Sequence, residues 1–306
     1  MKVQDNMENQ EKLLVVLDGE RLDKFIFGEL NGMSRSKIAN LIKNGMVTLN
    51  GVKVKVSHRL KVGDIVEMNV SEPSTARLIP QNIDLEVVFE DKDVIVIDKP
   101  AGMVVHPAPG HTSDTLVNAL INRLPDIYGV GDELRPGIVH RLDKNTSGLM
   151  MIAKNRNAYD LLVRQVEQRV IHKGYLALVK GVLDPPEAII RGDIARDPGN
   201  RKRMAVVNQG RYSETYYRSL ENIQNRTMVE VFPKTGRTHQ IRVHFANVGH
   251  PIVGDQTYGG KDSVLARQFL HAHILGFHLP SSGEYTEKYS PLPKELADYI
   301  SILGSI

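Results

Sequence analysis

Apolar positions repeat with helical spacing near the start of the chain. Leu22, Phe25, Ile26 and Leu30 fall on one face of a first amphipathic helix. Ser34 is a natural N-cap for a second helix, with Ile38, Leu41 and Ile42 as its apolar face and Gly45 as its stop. Residues 46–49 then run into Asn50-Gly51, after which Val52, Val54 and Val56 alternate with Lys53 and Lys55, the pattern of a hairpin with a two-residue turn. Residues 71–82 break the periodicity with two prolines and read as linker sequence. The boundaries expected on this basis are a small module at 14–75, a linker at 76–84 and a larger domain at 85–306.

Strands dominate the larger part. Residues 85–89 and 94–97 pattern as a hairpin, and 148–153, 175–181, 214–220 and 228–232 as further strands, the last two joined across 222–226. A helix is expected over 158–168 with Leu161, Leu162 and Val166 inward. Strands and helices do not alternate as βαβ units. The expected fold class is therefore α+β: a mixed, largely antiparallel sheet domain with a cleft, preceded by a small N-terminal α/β module.

Composition removes several kinds of chemistry. The 306 residues contain no cysteine, which excludes disulfides, thiolate zinc sites, iron–sulfur clusters and a cysteine nucleophile. Hydrophobic content of 41% and charged content of 25% are ordinary for a folded protein. No apolar run approaches the roughly 18 residues of a membrane span, and the polar start lacks the apolar stretch of a secretory signal. The expected compartment is the cytoplasm. The net charge of +3 is unevenly spread: residues 1–31 sum to −3, residues 32–64 to +6, and the rest is neutral. The excess sits in the small module, on Arg35, Lys37, Lys43, Lys53, Lys55, Arg59 and Lys61. Such a cluster marks a polyanion-binding surface or a merely solvated face.

Two patches are dense in reactive side chains. In residues 137–149, Asp143 follows Arg141 by two, a spacing that holds the two close and keeps the carboxylate ionised for nucleophilic work. The alternative is that Asp143 and Thr146 only bond the loop's own backbone. In residues 235–249, Thr238 is a natural N-cap, Ile241, Phe245 and Val248 make an apolar stripe, Gly249 ends the helix, and Arg242 leaves it near its start. His239 and His244, with His140, His271 and His273, invite a metal reading. Their spacings of five and two do not place two ligands on one helical face, and no metal is expected. Tyr175 shares a strand face with Ala177 and Val179, ordinarily a packing position. Arg196, Arg201, Lys202 and Arg203 crowd a turn-forming loop suited to gripping phosphates or to simple solvation.

Four stretches taken together carry a family likeness. Asp98-Lys-Pro-Ala-Gly-Met-Val-Val-His-Pro107, His140-Arg-Leu-Asp-Lys-Asn-Thr-Ser-Gly148, Lys173-Gly-Tyr175 and Gly236-Arg-Thr-His-Gln-Ile-Arg-Val-His244 resemble, in order, the signatures of the ribosomal large-subunit type of RNA pseudouridine synthase. The module at 14–75 resembles the RNA-binding domain named after ribosomal protein S-four. The resemblance implies isomerisation of uridine in structured RNA, most naturally 23S-type ribosomal RNA, by a monomer with no cofactor and no metal. It makes Asp143 the carboxylate at the sugar–base centre, whether by adding to the ribose, adding to the uracil ring or assisting a glycal route. It pairs Arg242 with Asp143, stacks Tyr175 on the uracil with a part in removing the C5 proton, and has Arg141 fill the gap left by the extruded nucleotide. Arg237, the basic loop and the module would bind RNA. Three alternatives stand beside it: a non-catalytic ribosome-associated binding protein, a transfer-RNA pseudouridine synthase, and a glycoside hydrolase. The last needs a second acid; Asp255 is the one candidate and reads more naturally as a turn residue.

Overall fold

A computed structural model describes residues 10–30, 35–69, 78–107, 111–200 and 203–304. The chain divides into two units, Met1–Arg77 and Leu78–Ile306. In the first, β1 (Gln10–Leu14), α1 (Leu22–Glu29), α2 (Arg35–Lys43), β2 (Val47–Leu49) and β3 (Ile65–Asn69) follow one another. Leu22 and Ile26 of α1 and Ile38 and Ile42 of α2 bury against Val47, Leu49, Val66 and Met68 of the sheet, as the 3.6-residue spacing requires. Ser34 and the side chains of Arg35 and Lys37 lie outside the described residues.

The hairpin expected at 46–56 forms only its turn. Asn50 and Gly51 both take positive φ (51° and 77°), and Leu49 and Val52 make one bridge. The chain then leaves the sheet, and the partner of β2 is β3, which lies antiparallel between β1 and β2. The alternation of Val54 and Val56 with Lys53 and Lys55 reflects packing of the valines on the core, not strand pairing.

The second unit contains β4 (Glu86–Glu90), β5 (Val94–Lys99), α3 (Leu116–Arg123), the short pair β6 (Gly131–Asp132) and β7 (Arg135–Pro136), β8 (Ser147–Ala153), α4 (Arg156–Glu167) and β9 (His172–Lys180). It continues with β10 (Glu187–Arg196), β11 (Met204–Val207), β12 (Arg211–Asn222), β13 (Arg226–Pro233), α5 (Gln240–Asn247), β14 (Leu270–His278), β15 (Tyr285–Tyr289) and α6 (Lys294–Gly304). Residues 78–84, expected within the linker, belong here: Leu78 is buried, its carbonyl accepts from the Tyr128 hydroxyl at 2.8 Å, and the Ile79 carbonyl accepts from Asn118 at 2.8 Å.

One ten-stranded sheet runs β11-β10-β12-β13-β9-β14-β8-β5-β4, with β15 added to β14. Every pairing is antiparallel except β8 with β14, which is parallel and spans only His271↔Ser147 and Ala272↔Gly148. The sheet's two halves thus meet through a very short seam. Gly148 makes the seam possible: at φ 117°, a Cβ there would collide with the Ala272 carbonyl. Side chains reinforce what little backbone pairing exists, since His271 bridges Ser147 Oγ (3.0 Å) and Ser290 Oγ (3.0 Å) in the interior. β8 is buried along its whole length, which explains its apolar run from Gly148 to Ala153.

Candidate active site

Asp143 sits in the turn that feeds β8 at this seam, closed by the Thr146 N–H donating to the Asp143 carbonyl at 3.1 Å. Three donors brace the turn. Lys99, at the end of β5 and fully buried, donates to the carbonyls of Pro100 (2.7 Å), Met103 (3.0 Å) and Lys144 (3.2 Å). The Gly102 N–H also reaches the Lys144 carbonyl at 2.9 Å, and Arg267 Nη1 the Asn145 carbonyl at 3.2 Å. Burial, with Arg267 nearby, pushes the Lys99 ammonium down to about 7.

The Asp143 carboxylate meets Arg242, 99 residues away in sequence, with Nη1 donating to Oδ2 at 3.0 Å. Arg141 does not hold it: Leu142 anchors the loop in the core, Arg141 stays exposed, and Asp143 turns inward to an already buried guanidinium. The other edge of Arg242 is gripped by Asp255, with Nε to Oδ2 at 2.7 Å and Nη2 to Oδ1 at 3.0 Å. Burial alone would weaken the guanidinium, but Asp255 first and Asp143 second raise it above its ordinary value. Asp255 also caps its own turn, its Oδ1 accepting from the N–H groups of Thr257 (2.9 Å) and Tyr258 (3.2 Å).

The start of α5 differs from expectation. Thr238 is not its cap; His239 occupies that position with φ 57°, a left-handed conformation unusual outside glycine, and makes no side-chain cap. Gln240 shapes this turn, its Oε1 accepting from the Thr235 hydroxyl (2.7 Å) and the Arg237 N–H (3.0 Å). His239 is thereby aimed inward, its Nε2 3.8 Å from Asp143 Oδ2. Val248, expected in the apolar stripe, is 42% exposed because the helix has ended at Asn247.

Asp143, Arg141, His239 and Arg242 line two adjoining cavities. The larger, of about 530 Å³, is walled by Tyr175, Lys173, Ile171, Ile241 and Leu270. The second, of about 390 Å³, is polar, with Lys144, Gln256, Thr257, Arg267 and Gln268. Burial, then the Asp143 charge, raises the Tyr175 phenol above its ordinary value, so its hydroxyl keeps its proton; burial lowers Lys173. His140 Nε2 accepts from the Met151 N–H at 3.0 Å, and burial pushes it down to about 3. His244 lies in the interior between Ser213 (2.9 Å) and Thr215 (2.9 Å).

The basic residues are dispersed. Lys43, Lys53, Lys55 and Arg59 are exposed on the first unit, Arg59 also donating to the Gly19 carbonyl at 2.6 Å. Arg196 is exposed at the end of β10, Arg237 Nε donates to the Tyr212 carbonyl at 3.2 Å, and Arg203 lies 5.1 Å from the Tyr258 ring. Arg201 and Lys202 lie outside the described residues. The sequence alone leaves Lys99 and Tyr258 without roles, His239 only in the rejected metal reading, and Asp255 as a candidate second acid that reads more naturally as a turn residue. The one signal for Asp255 is an acid eight positions beyond the end of the Arg242 helix.

A family model for RNA pseudouridylate synthase matches residues 93–247, and one for the S4 domain matches residues 20–66. An uncharacterized RNA pseudouridine synthase of Bacillus subtilis is 42% identical over 285 residues, covering 93% of this chain and 94% of that protein. The ribosomal large subunit pseudouridine synthase D of Pseudomonas aeruginosa is 39% identical over 301 residues, covering 94% of this chain and 93% of that protein. The solved structure of human RNA pseudouridylate synthase domain containing 1 aligns with a TM-score of 0.56 at 27% identity, over 74% of this chain and 97% of that one. The chain belongs to the RNA pseudouridine synthases, enzymes that isomerise uridine in RNA to pseudouridine.

Proposed function

We propose that the RNA is large-subunit ribosomal RNA, modified in the cytoplasm by a monomer, with Asp143 as the reacting carboxylate. In the reaction the N1–C1′ bond breaks, a C5–C1′ bond forms, and the hydrogen leaving C5 is balanced by one gained at N1. The observation that carries the reading is the arginine held between two carboxylates: Asp255 fixes Arg242, and Arg242 points Asp143 into a cavity with an aromatic wall. A binding protein has no need of such a buried arrangement. A glycoside hydrolase needs a second free acid, and Asp255 is spent on Arg242.

Reaching the glycosidic bond of a stacked nucleotide requires extruding it, at a cost of a few kcal/mol. Arg141, exposed at the rim of both cavities, is the planar cation that fills the vacated stack. Tyr175 gives the uracil an aromatic face. Its raised pKa argues against the phenol as the base for the C5 proton. Arg35, Lys37, Lys43, Lys53, Lys55 and Arg59 of the first unit, with Arg196, Arg201, Lys202, Arg203 and Arg237, supply phosphate contacts that position the RNA. The likeness to a relative named for the large ribosomal subunit supports the choice of ribosomal over transfer RNA.

The test is incubation with unmodified transcripts of large-subunit ribosomal RNA and of transfer RNAs, followed by nucleoside analysis and chemical mapping of pseudouridine. Product in the ribosomal transcript is expected. Product confined to transfer RNA overturns the substrate, and none in either overturns the reading.

A further inference from the structure

One aromatic residue ties the loop between β10 and β11 to the reacting carboxylate. Tyr258 packs with Ile194 of β10 and Val243 of α5, and Met204 and Val206 of β11 close the same cluster. The guanidinium carbons of Arg203, at the end of the basic loop, and of Arg242 each lie 5.1 Å from its ring centroid. Its backbone N–H is one of the two that Asp255 caps. The hydroxyl is the informative atom. It accepts from the Met204 N–H at 2.9 Å and lies 2.9 Å from His239 Nδ1.

A buried hydroxyl hydrogen needs an acceptor. With its oxygen already accepting from Met204 and the residue only 6% exposed, the acceptor in place is His239 Nδ1. The imidazole hydrogen must then sit on Nε2, the nitrogen 3.8 Å from Asp143 Oδ2. Burial acts on both partners in the same sense, keeping the phenol protonated and the imidazole neutral.

We propose that Tyr258 is a positioning residue: it fixes His239 as the Nε2–H tautomer, so that an N–H rather than a lone pair faces Asp143. This rests on Asp143 being the reacting carboxylate. Arg242 then approaches that carboxylate with a charge and His239 with a dipole, both of favourable sign. The donor to Tyr258, the Met204 N–H, belongs to the first residue of β11.

The experiment uses the full chain labelled with ¹⁵N-histidine. Two-bond ¹H–¹⁵N correlation near neutral pH reads the tautomer of each of the 11 histidines, His239 being identified by its loss in His239→Gln. The expected pattern for His239 is Nε2–H in the wild type and a shift toward Nδ1–H in Tyr258→Phe, which keeps the ring and loses only the hydroxyl. For pseudouridine formation, kcat of Tyr258→Phe is expected to fall about tenfold with KM for RNA within about twofold, the size of one net hydrogen bond. An Nδ1–H tautomer in the wild type overturns the proposal even if the variant does not fold. So does an unchanged spectrum or an unchanged kcat in Tyr258→Phe. A wild-type protein that forms no pseudouridine at all would refute the functional reading, while the spectrum still decides the tautomer.

Discussion

Replacing Asp255 by asparagine tests the two-carboxylate arrangement most directly. The substitution keeps the side-chain shape and can leave the Oδ1 contacts to Thr257 and Tyr258 intact. It places an amide N–H₂ against Arg242 Nε, donor against donor, where a carboxylate oxygen stood at 2.7 Å. The Nε–Oδ2 bond is lost outright and the Nη2–Oδ1 bond keeps its acceptor but loses its charge; charge-assisted bonds of this kind are worth about 1.5–3 kcal/mol each. Removing one partner of a buried pair costs about 3–5 kcal/mol. Arg242 retains Asp143, so the lower end applies, about 3 kcal/mol. For a unit of this size that is a fall of about 6–12 °C in Tm. Arg242 released on one edge no longer fixes Asp143, and a displacement near 1 Å costs about 10² in rate. The assays are thermal melting by circular dichroism, single-turnover pseudouridine formation on a transcript, and RNA binding, where affinity should stay within about threefold. A Tm within about 2 °C of wild type together with wild-type rates would refute the reasoning and return Asp255 to the role of a turn residue.

Asp143→Asn should form no pseudouridine while RNA affinity stays within about threefold; wild-type tritium release from C5-labelled uridine would sink the assignment. Lys99→Met takes the ammonium donor from three carbonyls, that of Lys144 keeping the Gly102 N–H, and should destabilise the fold by about 2–4 kcal/mol, read by denaturant melts. The folded-state value of about 7 for Lys99 lies below the ordinary 10.5, so the unfolded chain binds more protons between these values. Wild-type stability relative to Lys99→Met should therefore rise from pH 7 toward 10.5, and a flat difference would contradict the burial argument. Replacing Lys43, Lys53 and Lys55 together by alanine should weaken binding uniformly across RNA sequences. The slope of log affinity against log salt should shrink by about 2–3, which an unchanged slope would disprove.

Local pattern was enough wherever local sequence decides. β5, β8 and α4 stand within two residues of their expected bounds, because central strands must be apolar on both faces and α4 is amphipathic behind its Asn155 cap. Pattern failed at residues 52–56, where alternation reported two environments and said nothing of which strand lay alongside. The site shows the same division. The residues next to Asp143 suggested Arg141 as its partner, whereas the actual partner is 99 positions away and was legible only through family likeness. Asp255 is a turn residue by every local sign, and it is one: a single carboxylate caps the turn and grips Arg242. No local signal separates those two jobs.

The position of the site follows from the sheet. Two backbone pairings join its halves at β8 and β14, and although β5 holds the other edge of β8, so short a seam would not by itself keep the Asp143 turn registered against the Arg242 side of the sheet. Polar side chains do that instead. Lys99 and Arg267 hold the turn by its carbonyls, His271 bridges Ser147 to Ser290, and Arg242 joins the Asp143 loop to the Asp255 turn. Each is buried, so each costs stability when cut and misplaces Asp143 at the same time. Losses of activity on substituting Lys99, Arg267 or Asp255 therefore say little about chemistry unless melting and RNA affinity are measured beside the rate. Asp143, the end point of this network, is the member expected to separate them, losing the reaction while keeping most of the fold and the grip on RNA.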